Sequence, residues 1–274
     1  ILSDPDNNNK ITPSVVYIGK NDKVFVGEKA KDAAIAEPER VISAVKRKME
    51  EDVLYEISKG DWVEGGKKDK SYTPSQISSL ILSKLKDYAS GIKKVVITVP
   101  AMFPEKARSA TMDAAKIAGM EVLELINEPT AAILHYANLP GVSVSGRVLV
   151  FDLGGGTFDV SIANVQGKAV EVITSRGDKY LGGIDFDGEI VKILSEKYKK
   201  EKGSSLKETD KKLLDVAEKL KKVLSVKDKA SEVIDGPNGP LKIEITRAQF
   251  EKSIQLYLEK IKMLVEESLE AAKC

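Results

Sequence analysis

Val148-Leu149-Val150-Phe151-Asp152-Leu153-Gly154-Gly155-Gly156-Thr157-Phe158-Asp159-Val160-Ser161-Ile162 is an apolar, β-branched run that ends in a carboxylate, breaks at three glycines and resumes with apolar and polar residues alternating. That pattern predicts two strands joined by a tight turn. Glycine loses more backbone freedom on folding than any other residue, and ordinary hairpin turns need only one or two. Three at one tip predict something that approaches too closely for a Cβ. A phosphate chain fits: unhindered N–H groups form a concave anion site, Thr157 adds a hydroxyl, and Asp152 can hold a divalent cation through its water shell. A hairpin that carries glycine only for its turn is the plainer alternative. The loop is not a P-loop, because no Gly-x-x-x-x-Gly-Lys-Ser/Thr occurs, and no Gly-x-Gly-x-x-Gly enters a helix.

Around this hairpin lie 274 residues, 42% of them apolar, which is longer than one typical domain and ample for a buried core. Two lobes are expected. Lys and Arg number 43 against 42 Asp and Glu, giving a net charge of +1 with the signs interspersed. Nucleic acid and anionic membrane are therefore not expected as partners. The single cysteine, Cys274, excludes an internal disulfide framework and fits a reducing compartment. The single histidine, His135, reads as packed or surface-lying rather than catalytic. No run approaches the roughly 18 apolar residues of a membrane span, and Ile1-Leu2-Ser3-Asp4-Pro5-Asp6 is no signal peptide. The absence of an initiating methionine points to a fragment or a processed product.

Thr12–Ile18 and Lys23–Val26 read as strands, Glu28–Ala36 and Ile42–Met49 as helices, and Asp61–Ser71 as a polar hairpin-like stretch. Thr73-Pro74-Ser75-Gln76 opens a helix through Leu85, with Thr73 as N-cap and proline at the first helical position. Ile92–Pro100 reads as a buried strand, Pro104–Ala118 as a helix ended by Gly119, and Val122–Ile126 as another strand. Strands that alternate with helices predict an α/β fold. Beyond the hairpin come a strand at Val170–Ser175 and a helix from about Phe186 to Lys199. Thr209–Leu224 carries a stripe of Leu213, Val216, Leu220 and Val223, and one last helix carries Phe250, Ile254, Tyr257, Ile261, Leu264 and Leu269. Both read as packed helix faces rather than coiled coils.

The glycine hairpin resembles the second phosphate loop of the seventy-kilodalton heat-shock (DnaK-type) chaperones, members of the actin and sugar-kinase ATPase superfamily. Other segments agree in order: Val95-Val96-Ile97-Thr98-Val99-Pro100-Ala101-Met102-Phe103 resembles the family's strand and proline turn, and Ile126-Asn127-Glu128-Pro129-Thr130-Ala131-Ala132 its connecting motif. Gly177-Asp178-Lys179-Tyr180-Leu181-Gly182-Gly183-Ile184-Asp185-Phe186-Asp187 resembles its second glycine pair, and Ile245-Thr246-Arg247-Ala248-Gln249-Phe250-Glu251 a later helix start. The resemblance covers essentially the whole chain. It implies an actin-like, ribonuclease H-like two-lobed ATPase domain, incomplete at both ends. Lobe I would span 1–146, with a small subdomain at about 13–90 and a core at about 91–146. Lobe II would span 147–274, with its core at 147–183 and 248–274 and a small subdomain at about 184–247.

The same resemblance implies roles. Lys46 matches the family's catalytic lysine beside the γ-phosphate, although by sequence alone it reads as a solvated lysine next to Arg47 and Lys48. Glu128 and Asp152 match the acids at the magnesium water shell, and Thr157 the hydroxyl near the γ-phosphate. Asp159 is implied for a monovalent cation, potassium, with a structural turn carboxylate as the alternative. Gly154, Gly155 and Gly156, with Gly182 and Gly183 as a second close-approach loop, would hold ATP or ADP, and Glu218, Lys221, Lys222 and Ser225 would meet the adenosine. Without the family position, the Lys221-Lys222 pair reads as a charged solvated helix face. Lys222 stands where the family has an arginine that stacks on the base, which lysine cannot reproduce. Ile184 replaces a usual acid, and Glu124 a usual arginine at the docking site for J-domain co-chaperones. Pro100 and Arg108 match the switch between nucleotide state and substrate domain.

The implied setting is cytoplasmic, in the stress response and protein folding. The implied partners are a J-domain co-chaperone, a nucleotide exchange factor, and unfolded client peptides bound through a domain outside this chain. The family's first phosphate loop would precede Ile1 and its last adenosine loop would follow Cys274, so this chain's own turnover is expected to be impaired. The alternative function is a non-catalytic ATP-binding relative that acts as a nucleotide-exchange-factor-like co-chaperone. A sugar kinase or an actin-like filament protein stands further off, since those share the hairpin but not the other motifs together.

Overall fold

The computed structural model describes residues 1–19, 23–57, 70–167, 169–208 and 210–274. Most of the polar stretch expected at Asp61–Ser71, and the expected helix start at Thr209, lie outside the described residues. Two compact units follow one another along the chain, Ile1–Ser143 and Val144–Cys274. Both mix helices with small sheets, so the fold class is α/β.

β-branched residues build the first sheet. β1 (Val15–Ile18) lies between β2 (Val24–Val26) and β3 (Val41–Ser43), antiparallel to both, with Val16 opposite Val26 on one side and Ile42 on the other. Val16, Ile18, Ile42, Val45, Ile57 and Ile77 share one core. The helix expected over Ile42–Met49 does not form. Val41 and Ile42 go into the ladder, Ala44 takes the left-handed region at φ 54°, and a single 3-10 turn, Val45–Lys48, follows. Branched side chains gain more from the pleated surface than from a helix, which explains the substitution of strand for helix. The helix at Glu28 is also shorter than expected: α1 (Glu28–Ala33) gives way to turns, and Pro38 then opens a short 3-10 helix. β4 (Tyr55–Ile57) pairs with β5 (Lys70–Tyr72).

α2 (Pro74–Asp87) begins where the sequence places it. Thr73 Oγ1 accepts from the Gln76 N–H at 3.3 Å, and Gln76 Oε1 accepts from the Thr73 N–H at 2.9 Å, a reciprocal cap. α3 (Glu105–Ile117) joins β6 (Lys94–Val99) to β7 (Glu121–Asn127) in a parallel βαβ unit, and Gly119 beyond α3 sits at φ 68°. Lys86 of α2 donates to the carbonyls of Ala118 and Gly119 at 2.9 and 3.0 Å, satisfying acceptors that the end of α3 leaves over. β6 is not the buried strand its apolar run suggests. Val95, Ile97 and Val122 pack under Leu82, Ala115, Ala118 and Met120, but Val96 on the opposite face is 52% exposed. Covering one face of a two-stranded sheet leaves every second residue in water. α4 (Glu128–Ala137) follows β7 directly.

In the second unit β9 (Phe158–Gln166) runs between β8 (Gly146–Leu153) and β10 (Ala169–Asp178), antiparallel to both, and is buried on both faces for most of its length. α5 (Gly183–Lys202) and α6 (Lys211–Leu224) pack against a hairpin of β11 (Lys229–Ile234) and β12 (Leu241–Thr246), around Leu194, Tyr198, Leu220, Leu224 and Ile245. The last stripe is not one helix. α7 (Arg247–Ser253) and α8 (Gln255–Ala271) meet at Ile254, whose φ and ψ of −96° and 4° break the run. The Ser253 hydroxyl donates back to the Phe250 carbonyl at 2.7 Å, competing with the helix ladder at the break. Phe158, Val160, Phe186, Ile254, Ile261 and Leu264 form the core beneath this pair of helices.

The N-terminal loop is held to α2 by charge. Lys84 Nζ lies 2.7 Å from Asp6 and 3.7 Å from Asp4, and the Asp6 N–H donates to Asp4 Oδ1 at 2.9 Å. That backbone hydrogen bond holds the Asp4 carboxyl below the usual carboxylate range, and hydrogen bonds from Lys84 and Lys29 do the same for Asp6. A carboxyl that is more acidic when folded stabilises the fold above its unfolded pKa and loses that contribution as pH falls through its folded value. Residues 1–10 should therefore keep their proteolytic protection at neutral pH and lose it below about pH 4, the ordinary carboxylate range. Protection that persists unchanged to pH 2 would contradict this anchoring.

Candidate functional site

The hairpin forms as its residues suggest. Leu153 pairs with Phe158 across the loop Gly154-Gly155-Gly156-Thr157, and the Gly154 N–H donates to the Thr157 carbonyl at 2.9 Å. Gly155 is the informative position. A Cβ built there meets nothing within 4 Å, so the protein's own packing does not require a glycine, and open space lies over the tip. Below the tip, cross-strand pairing sets Asp152 opposite Asp159, with Asp159 buried and Asp152 exposed. Like charges directly opposite one another repel, and a cation relieves that repulsion. Among the described residues no three His, Cys, Asp or Glu side chains converge on a metal position. The donor set fits magnesium, which keeps most of its waters and takes one or two carboxylates.

The second glycine pair docks on the first. A Cβ on Gly182 would lie 2.8 and 2.9 Å from the carbonyl oxygens of Gly155 and Gly154. The Gly183 and Ile184 N–H groups donate to those same carbonyls, Gly154 at 3.0 Å and Gly155 at 2.9 Å. Asp185 Oδ2 accepts from the Gly182 N–H at 2.8 Å, so the first turn of α5 is capped from within. Leading N–H groups of α5 are thereby spent on the hairpin, and what these bonds hold in place is the loop pair.

The three α6 positions and the Ser225 cap expected to meet adenosine lie together but behave differently. Lys221 turns inward: its Nζ donates to the Gly183 carbonyl at 2.8 Å and lies 2.7 Å from Asp187 Oδ1. Lys222 is paired with Glu218 at 2.8 Å and its side chain is 66% exposed, and the Ser225 hydroxyl donates to the Lys222 carbonyl at 2.7 Å. Beside them opens a cavity of about 330 Å³ lined by Phe186, Lys221, Leu224, Ser225, Arg247, Phe250, Glu251 and Ile254. Its α7 residues Arg247, Phe250 and Glu251 belong to the helix start expected from the sequence, where Thr246 and Gln249 cap one another at 3.1 and 3.2 Å, but were not among the expected site residues.

In the first unit, the left-handed Ala44 and the 3-10 turn after it present Lys46, whose Nζ donates to Glu128 Oε1 at 2.7 Å. Glu128 is the first residue of α4, where a negative charge suits the helix dipole. Its neighbour Asn127 accepts from Arg108 Nη2 at 2.8 Å, and Arg108 also donates to the carbonyls of Phe103 and Ala101 at 3.1 and 3.3 Å. Lys46, Glu128, Arg108 and the turn after Pro100 are thus wired together, while Glu124 and His135 are exposed.

Two glycines should respond oppositely to the same change. Gly182→Ala forces a methyl into two carbonyl oxygens and should cost about 1–3 kcal/mol, the usual range for overpacking. Gly155→Ala places its methyl in open space and should stay within about 0.5 kcal/mol. Urea unfolding of both variants measures this, and equal losses would refute the loop-on-loop contact.

The family model described as Hsp70 protein matches residues 2–274. The Chaperone protein DnaK of Thermotoga petrophila is 43% identical over 279 residues, covering 96% of this chain and 45% of that protein, and that of Thermotoga maritima gives the same figures. The Chaperone protein DnaK of Thermosipho africanus is 41% identical over 278 residues, again 96% of this chain and 45% of the relative. The chain spans about half the length of the curated relatives it matches. It belongs to the Hsp70 family.

Proposed function

We propose that this chain is the ATP-binding and ATP-hydrolysing part of a DnaK-type chaperone, on a two-lobed actin-like, ribonuclease H-like fold, with lobe I at 1–146 and lobe II at 147–274. Small subdomains at about 13–90 and 184–247 rise from cores at 91–146 and at 147–183 with 248–274. The observation that carries the reading is the open space over Gly155, in a loop pair fastened by backbone hydrogen bonds, with the Lys221 ammonium against Gly183. Bare backbone beside a fixed cation is what a polyphosphate needs.

Phosphoryl transfer to water asks little covalent chemistry of side chains, so charge and positioning set the rate. The loop Gly154-Gly155-Gly156 and the Thr157 hydroxyl hold phosphate oxygens, the Gly154 N–H being spent on the Thr157 carbonyl that closes the turn, with Gly182 and Gly183 closing the loop from the side. Asp152 and Glu128 hold the water shell of magnesium, which when bound neutralises phosphate charge, and Asp159 contributes to a potassium site. Lys46 supplies positive charge beside the transferring group and orients the attacking water. Glu218, Lys221, Lys222 and Ser225 meet the adenosine of ATP or ADP. Arg108, through its bonds to Asn127 and to the turn after Pro100, reports the state of Glu128 to the substrate-binding part of the chaperone.

The setting is the cytoplasm and the stress response, and among the described residues no helix is long and apolar enough to cross a membrane. Partners are a J-domain co-chaperone that docks near Glu124, a nucleotide exchange factor, and unfolded peptides bound by another domain. Lys46→Ala in the full-length gene product should slow single-turnover hydrolysis by more than about tenfold, a loss of about 1.4 kcal/mol in the transition state, with Mg-ATP affinity largely kept. Unchanged hydrolysis would remove Lys46 from the mechanism and favour a non-catalytic exchange-factor-like role.

A further inference from the structure

We infer that Asp187 is a positioning residue for the nucleotide site, acting through Lys221; this deepens the reading above and rests on it. Asp187 lies one turn beyond Gly183 on α5, so its side chain comes back over the helix start. It is buried, its Oδ1 makes no well-angled hydrogen bond, and the Lys221 ammonium stands 2.7 Å from that atom. Desolvation raises its carboxyl above the usual range while Lys221 pulls it down. A buried ion pair of this kind adds little net stability over an apolar pair of the same shape, so its value here is geometric.

What the pair fixes is where Lys221 points. A lysine on a flexible four-carbon stem usually keeps its ammonium at the surface, as Lys222 and Lys219 on the same helix do, ion-paired with Glu218 and Glu232 yet 66% and 65% exposed. Lys221 instead is only 21% exposed, caught between Asp187 and the Gly183 carbonyl, and Gly183 itself rests on Gly155. One of its ammonium donors goes to the Gly183 carbonyl while the charge is paired with Asp187, which leaves donor capacity for an oxygen of a bound phosphate or ribose. The cation is therefore aimed at the glycine loops before any nucleotide arrives, and Asp187 does the aiming without touching the ligand.

Isothermal titration of the full-length gene product with Mg-ADP tests this through Asp187→Asn, Lys221→Met and the double variant, with Gly155→Val as a control on the loop. Each single variant should lose about tenfold in affinity, and the double should lose no more than Lys221→Met alone, because one interaction is removed by either route. Losses that multiply, or an Asp187→Asn protein that binds as well as the parent while Lys221→Met and Gly155→Val do not, would overturn the positioning role alone. If neither Lys221→Met nor Gly155→Val weakens binding, the nucleotide reading of the loops falls, and this inference with it. A second measurement needs no variant at position 187. In the unaltered protein, competitive acylation should label Lys221 at least about tenfold more slowly than Lys222, and equal labelling would show that Lys221 is not held.

Discussion

Two backbone hydrogen bonds hold the site of the second unit together: the Gly183 and Ile184 amides donating to the carbonyls of Gly154 and Gly155. They fix the distance between a hairpin tip and a helix start that lie far apart in sequence. Only a residue without a Cβ at position 182 allows the approach, since the nearest carbonyl oxygen would be 2.8 Å from any methyl there. Everything else at the site depends on that docking. Lys221 has a carbonyl to rest on because Gly183 is held, and Asp187 lies within reach because α5 starts at that point. The energy of each bond is modest, about 1 kcal/mol, so the arrangement is specified more by steric exclusion than by strength.

The first unit works on a different basis. Lys46 and Glu128 are partly exposed, and such ion pairs contribute roughly 0–1 kcal/mol. Their contact therefore does little for stability. Its significance is that a lysine on a left-handed turn and the first residue of a helix are brought to one point by two separate β-strand ends, β3 and β7. Arg108 ties the same junction to the proline turn through three acceptors, a more constraining arrangement because the guanidinium is planar.

Local signals were legible in the sequence, and distant pairings were not. The glycine hairpin, the Thr73 cap and the Gly119 stop are each written in a few adjacent residues, and each forms as read. Ile42 read as the start of a helix, yet it pairs in a ladder with Val16, and Val41 with Tyr17, partners that no local stretch of sequence displays. The single long stripe of the last helix hid a break at Ile254, which stays buried on both readings and so leaves no mark in the hydrophobic pattern. The β11–β12 hairpin did carry a signal, Pro237-Asn238-Gly239 between branched residues, which the sequence reading passed over. Lys221 was found by family position, but its hold on Asp187 joins two helices and cannot be read from either alone. The apolar run of β6 predicted a buried strand, and among the described residues only the face of Val95 and Ile97 is packed, Val96 being 52% exposed.

The central claim is that the two glycine loops form one rigid cradle for phosphate. Amide resonances followed during titration with Mg-ADP test it most directly. The shifts of Gly154, Gly155, Thr157, Gly182 and Gly183 should move together with a single apparent affinity. Shifts confined to one loop, or centred on α8 with both loops silent, would contradict it.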